Sequence, residues 1–253
     1  MKKWFLYTAV FFTSYIVFMV ASLPITTVLP YVNLPQNVQI IGASGTIWDA
    51  NVKQLNIRKN NNKSISINKI NVKPKISSLL TFDPAITLYF GSPSLAGPVG
   101  HLTLNHLLGN DLRITNAQIS LPAQDISEQI TLPIAVDAFG QVSLKLTTYS
   151  LGKPLCNQVN GVVTWPKAAL SAFEQTAELG NLSAKLSCEK GVLVATINPN
   201  NKLGLSFNAY IRNSNNISGN GYLKPSAEFP QSLRQALPFL GKQDRQGRYR
   251  LGF

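Results

Sequence analysis

The sequence predicts a mainly β protein with a single N-terminal transmembrane helix followed by an antiparallel, curved β-sheet or sandwich domain and one or two short helices. Two observations carry this fold class. An uncharged apolar run begins at Trp4, and segments of alternating apolar and polar residues recur from Val38 almost to the end of the chain. Such alternation gives each strand one dry and one wet face, as in antiparallel sheets that are packed on one side only.

The amino-terminal segment predicts a membrane anchor over residues 1–24. Two lysines precede twenty uncharged residues, Trp4–Leu23. A helix needs about 20 residues to cross a hydrocarbon core, and basic residues on the short side favour a cytoplasmic amino terminus. A cleavable signal peptide is the alternative, with Val20–Ser22 as its candidate cleavage site. Under either interpretation the rest of the chain is extracytoplasmic, in a space such as the bacterial periplasm, and an uncleaved anchor would make this a single-pass membrane protein.

The remainder predicts a tether at residues 25–36 and one periplasmic β domain at residues 37–253, because no break in composition follows residue 36. Three segments are candidates for the one or two short helices: Ile76–Leu80, Lys167–Glu178 and Ser232–Phe239. The alternating segments that predict strands are, in order, Val38–Ile40, Val52–Ile57, Ser64–Asn68, Leu102–Leu104, Leu112–Ile114, Ile119–Leu121, Val142–Leu146, Leu182–Leu186, Val192–Val194 and Leu203–Tyr210.

The composition excludes several classes of function. Of the 253 residues, 45% are hydrophobic and 13% are charged, which rules out a wholly disordered chain. Two Cys and two His exclude a clustered thiolate zinc site and leave little imidazole chemistry, so we predict no metal and no cofactor. Cys156 and Cys188 lie 32 residues apart. In an oxidising compartment this even pair predicts a disulfide, with two buried free thiols as the alternative.

No catalytic constellation emerges from the sequence. The Gly42–Thr46 run lacks the spacing of a phosphate loop, and Ser44 does not stand in a nucleophile-elbow motif. His101 and His106 are five residues apart, which suits neither one face of a helix nor one face of a strand. A periplasmic hydrolase would need a nucleophile and base that we do not find.

The formal net charge of +12 reflects few acids more than many bases. Because an extracytoplasmic domain rarely meets nucleic acid, we predict no nucleic-acid partner. Anionic lipid headgroups or acidic partner proteins are the physically favoured counterparts, and an ordinary solvated surface is the alternative.

Several segments, taken in order, resemble the type II secretion system protein N family. The anchor is followed by Ile41–Trp48, which is similar to that family's G-x-S-G-T-[LI]-W signature, and Asn71 stands where the family often has a large aromatic residue. Further similar segments are Ile70–Pro74, Leu132–Leu144, Gly161–Trp165, Leu179–Ala184, Gly219–Pro225 and Gly247–Tyr249. The motif residues we single out as structural are Gly42, Ser44, Gly45, Thr46, Trp48, Trp165, Gly180, Pro225, Gly247, Arg248 and Tyr249.

The resemblance implies a non-enzymatic, inner-membrane component of the machinery that exports folded periplasmic proteins through the outer membrane. Its implied partners are the other inner-membrane platform proteins of the type II secretion system. The alternative function is an AsmA-like protein whose apolar groove binds or transfers lipid. A carrier would copurify with phospholipid, whereas a secretion subunit would copurify with platform proteins.

Overall fold

A computed structural model of the chain describes most of its sequence and supports the predicted fold class. The described residues are 2–32, 34–58, 64–79, 83–92, 97–107, 111–128, 137–172, 175–213, 216–235 and 237–252. Residues 80, 132–136, 173–174 and 236, which belong to predicted elements or motifs, lie outside these ranges. The chain divides into two compact units, residues 1–96 and residues 97–253. The predicted boundaries at residues 24 and 36 stay predictions.

The first unit combines the apolar helix with four antiparallel strands. The strands follow one another in the sheet in their sequence order, β1-β2-β3-β4, and β1 pairs with β2 from Val38↔Ile57 to Thr46↔Asp49. Its elements are α1 (Lys2–Ala21), α2 (Ile25–Val28), a 3₁₀ helix η1 (Leu29–Tyr31), β1 (Val38–Thr46), β2 (Asp49–Arg58), β3 (Ser64–Pro74), α3 (Ile76–Leu79) and β4 (Ile86–Phe90).

Helix α1 contains the apolar run that the sequence singles out. Among the described residues it is the one helix long and apolar enough to cross a membrane, over Trp4–Ala21. Its large apolar side chains are exposed, with Phe18 at 71%. A continuous exposed apolar surface of this size is typical of a site that contacts a membrane or another protein.

The second unit is also an antiparallel sheet. Its strands follow the order β5-β6-β8-β9-β10-β11-β12-β13-β14, and β7 pairs with β9 beside that path. Its elements are β5 (Val99–Asn105), β6 (Arg113–Pro122), α4 (Ala123–Ser127), β7 (Asp137–Phe139), β8 (Gln141–Leu151), β9 (Cys156–Ala172), β10 (Gln175–Glu189), β11 (Val192–Ile197), β12 (Leu205–Asn213), β13 (Asn216–Leu223), α5 (Gln231–Arg234), a 3₁₀ helix η2 (Leu237–Leu240) and β14 (Tyr249–Gly252).

One predicted helix is wrong. The segment Lys167–Glu178 instead forms the end of β9 and the start of β10, which pair across Ala172↔Gln175 and Ala168↔Gly180. The apolar residues of this segment follow the two-residue repeat of a strand: Ala177 and Leu179, two positions apart, are both buried. Pairing between long strands therefore overrides the local helical pattern.

Buried apolar residues of the second unit form two clusters among the described residues. One cluster of buried residues contains Ala168, Ala177, Leu179, Leu203, Leu223 and Phe229. A second cluster gathers Cys156, Val159 and Leu186. Both clusters include residues of β9 and β10, so these two longest strands position the features described next.

Candidate functional site

The signature Gly42–Trp48 forms strand β1 and the tight turn that follows it. Thr46 pairs with Asp49, so Ile47 and Trp48 alone make the turn. Gly45 has a φ of +91°, and a Cβ at this position would collide with the carbonyl oxygen of Asp49. Only glycine suits both conditions. The sequence pattern therefore reflects the geometry of a hairpin, and Ser44 lies exposed on β1.

This turn is bonded to the end of the apolar helix. The Trp48 indole Nε1–H donates to the carbonyl oxygen of Val20 at 3.0 Å. The Ile47 N–H donates to the carbonyl oxygen of Leu23 at 3.0 Å, and Pro24 forms a β-bridge with Thr46. The last four carbonyls of a helix have no intrahelical partner, so the Trp48 indole supplies one of them with a donor.

An apolar cavity of about 440 Å³ lies within the second unit. Ser127 and Ser183 are its polar lining residues among the described ones, and the remaining lining is aliphatic or aromatic. The described residues that line it come from α4, β7, β8, β9, β10 and β11: Ala123, Ile126, Ser127, Ala138, Val142, Val163, Trp165, Leu170, Leu182, Ser183, Ala184 and Ile197.

Trp165 fixes one corner of this cavity. Its indole Nε1–H donates to the carbonyl oxygen of Phe139 at 2.9 Å, where β7 ends. Gly140 follows with a φ of +97°, and a Cβ there would come within 3.2 Å of the Trp165 Nε1. Pro166 lies at the point where the partner of β9 changes from β8 to β7, so its missing N–H interrupts neither ladder.

Gly180 produces an irregularity in the strand that faces Trp165. The register of β10 against β9 shifts on both sides of Gly180, whose φ is +79°. The neighbouring Asn181 accepts a hydrogen bond on Oδ1 from the Lys167 N–H at 2.9 Å. Leu182, which follows, pairs with Trp165 and lines the cavity. Three of the segments singled out from the sequence thus meet at one place.

Cys156 and Cys188 are joined as a disulfide, with their Cα atoms 6.1 Å apart. Cys156 begins β9, and Cys188 lies near the end of β10. The bond packs against Val159 and Leu186, while the Tyr149 hydroxyl donates to the carbonyl oxygen of Leu155 at 2.7 Å nearby. Burial raises the pKa of Tyr149 above its usual range.

The segment around Gly247, Arg248 and Tyr249 forms a compact loop before β14. Asp244 accepts hydrogen bonds from the N–H of Gln246 at 2.8 Å and of Arg248 at 3.0 Å, and from the Arg248 Nε–H at 2.8 Å. The bond from the Arg248 backbone is the main reason that the pKa of Asp244 lies below its usual value. The Arg248 guanidinium also stacks over the ring of Tyr222 at 4.2 Å.

Pro225 and the two histidines complete the set of residues considered in the sequence. Pro225 follows the end of β13, beside a bond from the Lys224 N–H to the carbonyl oxygen of Gly204 at 3.0 Å. His101 lies in β5 and His106 follows that strand. Within the described ranges, no three His, Cys, Asp or Glu side chains converge in a way that would hold a metal ion.

Comparison with known proteins gives a consistent result. The family model described as "Type II secretion system (T2SS), protein N" matches residues 36–252. This span includes the hairpin, the cavity, the disulfide and the Asp244 loop. The chain belongs to the type II secretion system protein N family.

Individual family members match over most or nearly all of their length. A protein named type II secretion system protein N from Aeromonas hydrophila is 30% identical over 100% of this chain and 98% of its own. The protein of the same name from Vibrio cholerae serotype O1 is 28% identical over 98% of this chain and 97% of its own. The protein of that name from Klebsiella pneumoniae is 26% identical over 85% of this chain and 82% of its own. No solved structure matches significantly.

Two features of this family member were not predicted from its sequence. Trp48 stands in the sequence as the last residue of the family signature, and no pattern there indicates a bond to the helix that ends 27 residues earlier at Ala21. The cavity was likewise missed, although a groove was named for the alternative function. A signal was available for the turn: its two residues, Ile47 and Trp48, are both large and apolar, which is unusual for a solvated loop.

Proposed function

We propose that this protein is an inner-membrane-anchored, non-enzymatic component of the type II secretion machinery. The observation that carries the proposal is the family match over residues 36–252. In this proposal the protein takes part in the export of folded periplasmic proteins through the outer membrane, and its partners are other inner-membrane platform proteins of the same system. No reaction is assigned to it.

In the proposed topology, α1 spans the inner membrane with its amino terminus in the cytoplasm. The 20 residues of α1 extend about 30 Å, which equals the thickness of a hydrocarbon core. The bonds to the β1–β2 turn support an uncleaved anchor over a signal peptide. Val20 and Leu23 bracket the candidate cleavage site, and removing the helix would abolish the bond from Trp48 to Val20.

The disulfide supports the periplasmic placement of the part of the chain that follows the anchor. Structural disulfides persist in oxidising compartments such as the bacterial periplasm and are rare in the cytosol. We propose residues 1–24 as the cytoplasmic end and anchor, residues 25–36 as the connection and residues 37–253 as the periplasmic part. The connection contains α2 and η1, which gives it local helical structure.

Strand β14 is the part of the second unit best suited to a protein partner. It ends the strand order of the unit and pairs with β13 through Asn220–Leu223. Its other edge offers backbone donors and acceptors for an added strand. Three exposed bases, Lys242, Arg245 and Arg250, lie in or beside it, so an acidic partner segment would gain from charge complementarity.

Crosslinking in intact cells tests the proposal. The full chain, carrying a photoreactive residue in place of Arg250 or of exposed Asn157 on the distant strand β9, is irradiated and its products are identified by mass. We expect platform proteins of the secretion system among the products, more abundant from position 250. Loss of every secretion protein from the products at both positions would contradict the proposed function.

Purification of the full chain tests the lipid alternative, which the family match does not support. The apolar cavity is the feature that bears on it. Phospholipid retained through detergent exchange, and lost when Ala184 is replaced with Phe to fill the cavity, would favour lipid binding. Under the proposed function, we expect the purified protein to retain no phospholipid.

A further inference from the structure

We propose that the β1–β2 turn is a second membrane contact, in which the Trp48 ring lies at the lipid interface on the side where α1 ends. This proposal rests on the proposed function, because it requires α1 to span a bilayer. It adds that the first strands of the protein begin at the membrane surface, held there by Trp48 as a positioning residue.

The depth of Trp48 follows from its bond to the helix. The Trp48 Nε1 lies 3.0 Å from the carbonyl oxygen of Val20. Val20 precedes the last residue of α1 and belongs to the candidate membrane span Trp4–Ala21. Each helical residue advances about 1.5 Å, so Val20 lies within a few ångströms of the end of the span. The indole must therefore lie close to the same boundary.

The chemistry of the turn suits an interface. Tryptophan combines a large apolar ring with one N–H donor, and it is enriched where membranes meet water. The donor of Trp48 is already satisfied by Val20, which leaves the ring edges to contact lipid. Trp48 and Ile47 are both half-buried, and Val20 is 41% exposed against 71% for Phe18, so the turn covers part of the helix end.

Polar groups begin directly beyond the turn. Asp49 follows Trp48, and its carboxylate lies 3.8 Å from the Lys73 Nζ and accepts a hydrogen bond from the Asn71 amide. Both charged side chains are more than half exposed. A tryptophan followed immediately by an exposed ion pair reproduces the change from apolar to charged surroundings at the edge of a bilayer.

Depth-dependent fluorescence quenching tests the proposal with the full chain. The protein with Trp4→Phe and Trp165→Phe keeps Trp48 as its one tryptophan, since the sequence has three. It is reconstituted into vesicles of phosphatidylethanolamine and phosphatidylglycerol that contain lipids brominated near the headgroup end or near the methyl end of the acyl chain. We expect blue-shifted emission and stronger quenching by the shallow bromines.

A matched variant separates this proposal from the anchor itself. Trp48→Phe with Trp165→Phe leaves Trp4, which reports whether α1 enters the bilayer. If Trp4 is quenched by brominated lipid while Trp48 is quenched only by aqueous acrylamide, the interfacial contact is overturned and the anchor stands. If neither tryptophan responds to brominated lipid, the anchor falls as well. Stronger quenching of Trp48 by deep than by shallow bromines would also overturn the interfacial position.

A second measurement covers the case in which Trp165→Phe prevents folding. The lipid quenching of the unmodified protein is compared with that of Trp48→Phe alone, and the difference isolates the emission of Trp48. We expect that difference to be quenched most by shallow bromines. A difference signal indifferent to brominated lipid would overturn the proposal in this form too.

Discussion

Trp48 in the first unit and Trp165 in the second make the same interaction for different purposes. Each indole N–H donates to a backbone carbonyl far away in sequence, at 3.0 Å to Val20 and at 2.9 Å to Phe139. Trp48 joins a turn to the end of an apolar helix. Trp165 joins two strands of one sheet, packs against a buried cluster and lines a cavity.

The surroundings of the two bonds decide what each contributes. Strand β9, which carries Trp165, is also linked to β10 by the Cys156–Cys188 disulfide. At Trp48, one hydrogen bond joins the hairpin to α1, and a second hydrogen bond and a β-bridge join the hairpin to Leu23 and Pro24, which follow α1. We therefore expect changes in the Trp165 region to alter the stability of the fold, and changes at Trp48 to alter the attachment of the sheet to its helix.

The largest effect is expected on removing the disulfide. Replacing Cys156 and Cys188 with Ala should lower the free energy of unfolding by about 3–4 kcal/mol, because the link closes a long loop in the unfolded chain. Urea unfolding in detergent, followed by circular dichroism, measures this difference. Thiol labelling of the unreduced, denatured protein is the control, and reaction of both cysteines would show that the link is absent in cells.

Trp165→Ala should produce the next largest effect. Loss of a partly buried aromatic side chain that lines a cavity should lower the free energy of unfolding by about 3 kcal/mol. Trp165→Phe is the matched control, since it keeps most of the ring and removes only the hydrogen bond, at a cost of about 1 kcal/mol. Equal losses for the two variants in the same urea experiment would contradict the role given to the ring.

Trp48→Ala should lower the free energy of unfolding less than Trp165→Ala does, and it should reduce secretion more. Trp48 is half-buried, so we expect the free energy of unfolding to fall by about 1 kcal/mol, the contribution of one ordinary hydrogen bond. Secretion should fall markedly if the joint between helix and sheet is required. A stability loss as large as that of Trp165→Ala, measured in parallel, would place Trp48 in a fold core and erase the contrast.

The smallest effect concerns Asp244, which belongs to neither tryptophan region. Its pKa is lowered on folding, so its stabilising contribution is present above the unfolded pKa of about 3.9 and is lost as the pH falls through the lower folded value. The unfolding temperature of the protein should exceed that of Asp244→Asn at pH 7, and the two should converge as the pH falls from about 3.9 through the lower pKa of the folded protein. A gap that persists or widens in acid would contradict this assignment.

The sequence predicted the elements whose pattern is local. The uncharged run predicted α1, and alternation predicted most strands. Short helices at Ile76 and near Ser232 were confirmed as α3 and as α5 with η2. These predictions succeed because the spacing of apolar side chains in a helix or a strand is visible within a single segment of the sequence. The segment Lys167–Glu178 was misread because its alanines fit both periods, and only pairing with a distant strand decides between them.

The bond between the β1–β2 turn and α1, and the cavity, could not be predicted for a related reason. Trp48 and Val20, like Trp165 and Phe139, are brought together by strand order and register. A pattern within one segment carries no information about which carbonyl lies opposite an indole. The glycines at 45, 140 and 180 marked turns and irregular strands, and the structure assigns each to a close approach or a left-handed backbone.

The most direct test of the central claim is secretion in a strain that lacks the gene. The account predicts that culture supernatants of this strain lose exported proteins, and that the full chain restores them. Residues 25–253, exported by a cleavable signal peptide, should fold with their disulfide yet fail to restore secretion. Normal secretion without the gene, or full restoration by the fragment that lacks α1, would contradict the claim that an anchored member of the protein N family serves the secretion machinery.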